Sequence, residues 1–144
     1  MEIALSLASK CQDLGEVPVA ALIVDKNGKI ISRATNLREK TSSVLGHAEL
    51  VAIHRASQKL KTWRLVGCTL YVSLEPCFMC AGALVQARIA RVVFAAHDPK
   101  GGALGSLQDL SNDTRFNHRF SVTSGVLAST SSELLKNFFK LKRN

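Results

Sequence analysis

Residues 69–96 read TLYVSLEPCFMCAGALVQARIARVVFAA. TLYVSL (69–74) has the composition of a strand, and RVVFAA (91–96) has it again. Between them, CFMCAGALVQARI (77–89) reads as a helix, with Pro76 expected at its first position, where a missing N–H has no partner to lose. Two strands joined through a helix cannot form a hairpin. The unit is therefore predicted to be β-α-β, with parallel strands and a right-handed crossover.

Working outward, apolar residues at Ile3, Leu7, Cys11 and Leu14 predict an amphipathic helix from Glu2 to Leu14, ended by Gly15. VPVAALIV (17–24) reads as a strand buried on both faces. DKNG (25–28) follows as a turn in which Gly28 supplies positive φ, and KIISRA (29–34) as the antiparallel partner. Polar residues 35–45 are expected as a loop, followed by a helix over 46–60 with Leu50, Val51 and Ile53 facing inward. Downstream of the β-α-β unit, HDPKGGALGSL (97–107) lacks periodicity and reads as a functional loop. A short strand at FSVT (120–123) and a last helix from about Val126, carrying Leu134, Leu135, Phe138 and Leu141, complete the pattern. The fold class is α/β: three layers, α/β/α, with a mixed five-stranded sheet covered by four or five helices on both faces. Without repeat, linker or low-complexity segment, residues 1–144 read as a single domain.

A chain of 144 residues, 47% hydrophobic, has enough apolar material for one core. Its longest apolar run, at 17–24, is far short of the roughly 20 residues a membrane helix needs. MEIALSLASK shows neither basic flank nor cleavage signal, so a cytoplasmic location is expected. Lys and Arg outnumber Asp and Glu by 19 to 11, a formal charge of +8 that suits a polyanionic partner. The surplus is concentrated: Lys136, Lys140, Lys142 and Arg143 crowd the C-terminus, and Lys100, Arg115, His118 and Arg119 share one polar stretch.

Of four cysteines, Cys11 and Cys68 stand alone in apolar contexts and read as packing residues. Cys77 and Cys80 form a C-x-x-C pair at the start of a helix, where both sulfurs can face one ion and the helix N-terminus favours thiolates. A redox pair has the same local arrangement. His47 and Glu49, in GHAEL (46–50), break the tie. Inside a helix they would point apart, but at a helix start His47 can bind metal while Glu49 addresses a water on it. One imidazole and two thiolates leave a tetrahedral zinc ion an open position, the mark of a catalytic site; a fourth ligand from Cys68 or His54 would make the site structural.

Together, H-x-E at 47–49 and P-C-x-x-C at 76–80 resemble the signature of the zinc-dependent cytidine and nucleotide deaminases. Within that superfamily, GEVPVAALIV, Asn36, GHAELVAI, residues 69–107 and NHRFSVTSGVLA are similar to the bacterial tRNA-specific adenosine deaminases. Ala20 stands where that family usually has glycine, Gly46 where it commonly has alanine, and SNDTRF (111–116) is less typical of it. The resemblance implies a cytidine deaminase-like fold and hydrolysis of adenosine to inosine at the wobble position of a tRNA anticodon. It implies one zinc per chain on His47, Cys77 and Cys80, Glu49 as proton shuttle, and a homodimer. Asn36, the Ala48 backbone, Val17 and Leu74 would contact the base. Asp98, Lys100, His118 and the segment Phe138 to Arg143 would hold the flipped anticodon loop, with one of Phe138 and Phe139 facing outward. A free guanine or cytosine deaminase shares the zinc chemistry but has no use for the basic tail. A non-catalytic, zinc-stabilised RNA-binding domain is the reading from another class.

Overall fold

In the computed structural model, which describes all of residues 1–144, helix α1 (Glu2–Cys11) runs into a 3-10 turn that Gly15 closes with φ of 74°. Strands β1 (Ala20–Val24) and β2 (Ile30–Thr35) lead to a short helical turn α2 (Arg38–Thr41) and to α3 (Ala48–Leu60). Strand β3 (Thr69–Leu74), helix α4 (Phe78–Gln86) and strand β4 (Arg91–Ala96) come next, then β5 (Ser121–Thr123) and α5 (Ala128–Arg143).

The five strands form one mixed sheet in the order β2-β1-β3-β4-β5. β1 is antiparallel to both β2 and β3, while β3 with β4 and β4 with β5 are parallel. The hairpin turn is held by Asp25 Oδ1, which accepts from the N–H groups of Asn27 and Lys29, and by Gly28 at φ 83°. The β-α-β unit at 69–96 has the expected parallel pairing, with Leu70 opposite Val92 and Val72 opposite Phe94.

Because side chains alternate across a strand, Ile23, Leu70, Val72, Val92 and Phe94 join a single 22-residue cluster under α3 and α4. The opposite face carries α1 and α5, whose contacts run to β1, β3 and β4. There Ala20 N–H donates to Ser73 Oγ and Ser131 Oγ donates to the Ser73 carbonyl, so the polar groups buried beneath α5 are paired.

Several local expectations are corrected. α1 buries Ala4, Leu5, Ala8 and Cys11, whereas Ile3 and Leu14 are exposed: small residues, more than large ones, mark the face that can approach a sheet closely. α3 likewise packs through Ala48, Ala52 and Ala56, with Val51 and Ile53 partly buried at the flank and Leu50 outside the cluster. Regular pairing in the first strand starts at Ala20, not Val17. Within 35–45, expected as loop, residues 38–41 form the turn α2. Leu141, counted on the apolar stripe of α5, is exposed. Pro76 precedes the helix instead of opening it: Cys77 is the N-cap, with φ −75° and ψ 176°. The chain stays extended there because Cys77 bridges to Gly102 and the Pro76 carbonyl accepts from Ala103 N–H at 2.9 Å.

That extended segment anchors the loop 97–107. Glu75, 2% exposed, accepts from the N–H groups of Asp98 (3.1 Å) and Ser106 (3.0 Å). Gly102 is where the loop passes the carboxylate: a Cβ there would fall on Glu75 and come within 2.7 Å of the Asp98 carbonyl oxygen. Gly102→Ala is therefore expected to lower stability by about 1–3 kcal/mol, read as a reduced urea midpoint at unchanged m-value. An unchanged midpoint would show that the loop can move off Glu75 freely.

Candidate metal centre and active-site cavity

His47 and Cys77 are the N-cap residues of α3 and α4, two helices that lie side by side on one face of the sheet. An N-cap residue has extended backbone, so His47, with φ −73° and ψ 141°, does not follow the helical spacing that would turn it away from Glu49. Glu49 falls in the first turn of α3 and is 4% exposed. The centre sits beyond the carboxyl end of β3, the usual position for a site in an open α/β sheet.

His47 Nδ1 lies 3.7 Å from Cys77 Sγ and 3.5 Å from Cys80 Sγ. Ligands at ordinary Zn–N and Zn–S lengths in a tetrahedron place nitrogen and sulfur about 3.6 Å apart. The three donor atoms thus fit a zinc ion, and an imidazole with two sulfurs is a donor set that suits this metal. Neither Cys68, which is buried, nor His54, which is exposed, belongs to the group, so no fourth protein ligand closes it.

Electrostatics around the centre favour collecting positive charge. The Cys80 thiol and His47 beside Cys77 hold its thiol down at about 4, against the effect of burial. Cys80 is pushed up, first by Cys77 and then by burial. His47 is raised mainly by its hydrogen bond with Cys77. Burial pushes the Glu49 carboxyl up to about 7, the range in which a carboxyl both takes and gives protons near neutrality.

The centre forms the floor of a cavity of about 130 Å³. Val17, Asn36, Ala48, Leu74 and Asp98 line it together with His47, Glu49 and Cys77. This volume is below the ~300 Å³ at which drug-sized pockets begin, and it suits one small planar group. Val19, Arg38 and Glu75 also line the cavity and were not anticipated. Arg38 is brought in by α2, a turn that no local signal in 35–45 announces. Gly46 proves less interchangeable than a small-for-small change suggests, because a Cβ there would come within 2.8 Å of the Leu37–Arg38 backbone.

Past Val17, Leu74 and Asp98 the cavity opens into a groove of about 1100 Å³ walled by Lys100, Lys136, Phe139, Lys140 and Arg143. Phe139 faces outward and Phe138 is buried, with Lys142 Nζ 5.1 Å from the Phe138 ring centroid. His118 is not part of the site. Its Nε2–H donates to the Ile89 carbonyl at 2.7 Å, at the end of the sheet where β4 begins. Arg115, paired with Asp113, and Arg119 lie in the same region before β5, so the polar stretch that seemed continuous with Lys100 belongs to the opposite end of the molecule.

Comparison with known proteins agrees with this geometry. The family model for MafB19-like deaminases matches residues 1–143. The tRNA-specific adenosine deaminase of Bacillus subtilis is 50% identical over 140 residues, 97% of this chain and 86% of that protein. The chain belongs to this deaminase family. The Haemophilus influenzae enzyme of the same name is 46% identical over 143 residues, covering 99% of this chain and 83% of its own length. A solved structure from work on A-to-I editing by tRNA:A34 deaminases at the wobble position superposes with a TM-score of 0.89 at 41% identity, covering 94% of this chain and 97% of that one. The guanine deaminase of Nitrosomonas europaea reaches a TM-score of 0.79 at 26% identity, covering 95% and 81%. The fold expectation, a cytidine deaminase-like mixed sheet, therefore holds.

The purified protein is expected to carry one zinc per chain, and Cys80→Ala to lose metal and stability together. After chelation, iodoacetamide at pH 6 should label Cys77 ahead of Cys80, Cys11 and Cys68, all three of which are raised, and added zinc should protect it. Uniform labelling, or labelling indifferent to zinc, would contradict the shared centre.

Proposed function

We propose that this chain deaminates adenosine to inosine at the wobble position of tRNA anticodons, with zinc held by His47, Cys77 and Cys80. The observation that carries the reading is the continuity of two spaces. A cavity for one base, with Glu49 at its floor, opens into a groove lined by four basic side chains. A free base would fill the first and leave the second without purpose. An anticodon loop with one nucleotide flipped out would use both.

Zinc held by His47, Cys77 and Cys80 would act as a Lewis acid that makes water nucleophilic near neutral pH. Glu49 takes a proton from the attacking water at a carboxylate oxygen and delivers it to the amino nitrogen, so that a carbon–oxygen bond forms, the carbon–nitrogen bond breaks and ammonia leaves; its raised carboxyl can do both without large energetic mismatch. The Ala48 backbone faces the attacked edge, and Val17 and Leu74 cover the base and exclude water. Asn36 offers its amide to the base, while Asp98 and Lys100 stand at the mouth where the flanking nucleotides leave. Phe139, exposed on the groove, offers a face for stacking an unpaired base.

Similarity to guanine deaminase structures keeps a free-base substrate as the second reading. A homodimer is proposed as the working form, supported by the exposure of Phe78 and Met79 in the first turn of α4 beside the metal ligands. No helix is long and apolar enough to cross a membrane. A tRNA substrate would place the work in the cytoplasm.

Incubation with an anticodon stem-loop carrying a wobble adenosine, alongside free guanine and cytosine, should yield inosine in the RNA only. Conversion of a free base without reaction of the RNA would favour the second reading. Glu49→Ala is expected to lower turnover at least about 100-fold while retaining zinc and RNA affinity; loss of the metal would assign Glu49 to the ligand set instead.

Deleting residues 140–144 removes Lys140 and Arg143 from the groove, whereas Lys142 turns toward Phe138. Stem-loop affinity should fall and the slope of log affinity against log salt should flatten by about 0.7 to 1.4, at about 0.7 per phosphate contact. Zinc content should be unchanged. If neither affinity nor slope responds, the groove does not carry the RNA.

A further inference from the structure

Glu16 is 1% exposed, lies outside any regular element, and none of the roles above uses it. Its carboxylate accepts three hydrogen bonds, all from one stretch of cavity wall. Oε2 accepts from Asn36 Nδ2 at 3.2 Å and from Glu39 N–H at 3.2 Å, and Oε1 accepts from Lys40 N–H at 2.8 Å. The two backbone groups belong to the first turn of α2, whose N–H donors have no partner within the helix.

A carboxylate offers only acceptors, so it decides which end of the Asn36 amide faces it. Nδ2 is committed to Glu16. Every buried side-chain nitrogen and oxygen has a partner, and Asn36 Oδ1 has none within the protein, so Oδ1 is the end left open to the cavity that Asn36 lines. The other side of the wall is equally constrained. Leu37 N–H donates to the Gly46 carbonyl at 2.8 Å, and Gly46 leaves no room for a Cβ against Leu37 and Arg38. Residues 36–40 are thus clamped between a buried carboxylate and the residue preceding the histidine ligand.

We propose that Glu16 is a positioning residue for substrate recognition: it sets the polarity of Asn36, presenting Oδ1 to the flipped nucleoside. The proposal rests on the reading of Asn36 as a contact to that nucleoside. Glu16 reaches neither the metal centre nor Glu49, so its effect belongs in binding. In Glu16→Gln the side chain can face Asn36 with either an N–H or a C=O, and the Asn36 amide is free to reverse.

The test is a double-mutant cycle on wild type, Glu16→Gln, Asn36→Ala and the double variant, assayed on the wobble-adenosine stem-loop with zinc content and melting temperature measured for each. Wild-type conversion of the stem-loop establishes the substrate independently of the cycle. Glu16→Gln should lower kcat/KM about 10- to 100-fold, the effect of disturbing a hydrogen bond to a charged group, and the loss should appear in KM. The double variant should be no worse than Asn36→Ala within about twofold, because Glu16 acts through Asn36. Losses that multiply, a Glu16→Gln enzyme with wild-type KM, or an Asn36→Ala enzyme with wild-type kcat/KM would each overturn the proposal. Should Glu16→Gln fail to fold, Glu16→Asp serves: it keeps the charge but cannot span all three donors. It should again raise KM, and a loss confined to kcat would count against the assignment.

Discussion

The approach of two helix N-termini governs this molecule. α3 and α4 start beside one another on the same face of the sheet, and each begins on a residue that is the N-cap and offers a metal-binding atom. Cys80 and His47, brought beside Cys77 by those helix starts, favour it as thiolate and leave the donors ready for a cation. The parallel pairing of β3 and β4 makes that meeting possible, since it forces α4 to cross the sheet and begin at the carboxyl end of β3. The alanine face of α3 brings the second helix close enough to share the centre.

Around this centre the loops are held by buried carboxylates. Glu75 gathers the N–H groups of Asp98 and Ser106, and Glu16 gathers those of Glu39 and Lys40 with the Asn36 amide. The segments they hold follow strand ends, Asn36 to Lys40 after β2 and Asp98 after β4, where the chain leaves the sheet and its backbone donors lose their ladder partners. A charged acceptor satisfies two or three such donors at once, which neutral side chains do less strongly. In this way loops without regular structure become fixed cavity walls. Their rigidity matters because the chemistry requires one base to sit in a single pose.

The same arrangement separates two kinds of recognition. The cavity wall is small and mixed, with the Asn36 amide, the carboxyls of Glu49, Glu75 and Asp98, Arg38 and the apolar Val17, Val19 and Leu74. Outside, the groove offers Lys100, Lys136, Lys140 and Arg143 around Phe139, contacts that suit any phosphate backbone and a stacked base. In the proposed function, selectivity for the reacting base belongs to the first set and affinity for a nucleic acid to the second.

Much of this was legible in the amino-acid sequence. Strand and helix composition over 69–96 determined the parallel unit, and the pairing of His47-x-Glu49 with Cys77-x-x-Cys80 determined the donor set, because metal chemistry restricts residue types and spacing severely. Where small residues packed a helix, large apolar residues misled: Ile3 and Leu14 are exposed, while Ala4 and Ala8 are buried. Proximity along the chain misled as well. His118 follows Lys100 by less than twenty residues, yet β5 carries it to the far end of the sheet, where it bonds Ile89. Arg38, Glu75 and Glu16 show no local signal: Arg38 and Glu75 line the cavity and Glu16 stands behind its wall, where carboxylates of Glu16 and Glu75 hold backbone groups of distant loops. The sequence by itself determined the chemistry and the elements that bear it. Only the tertiary structure decided which loops wall the cavity, because that depends on backbone donors at strand and helix ends finding a buried acceptor more than twenty residues away.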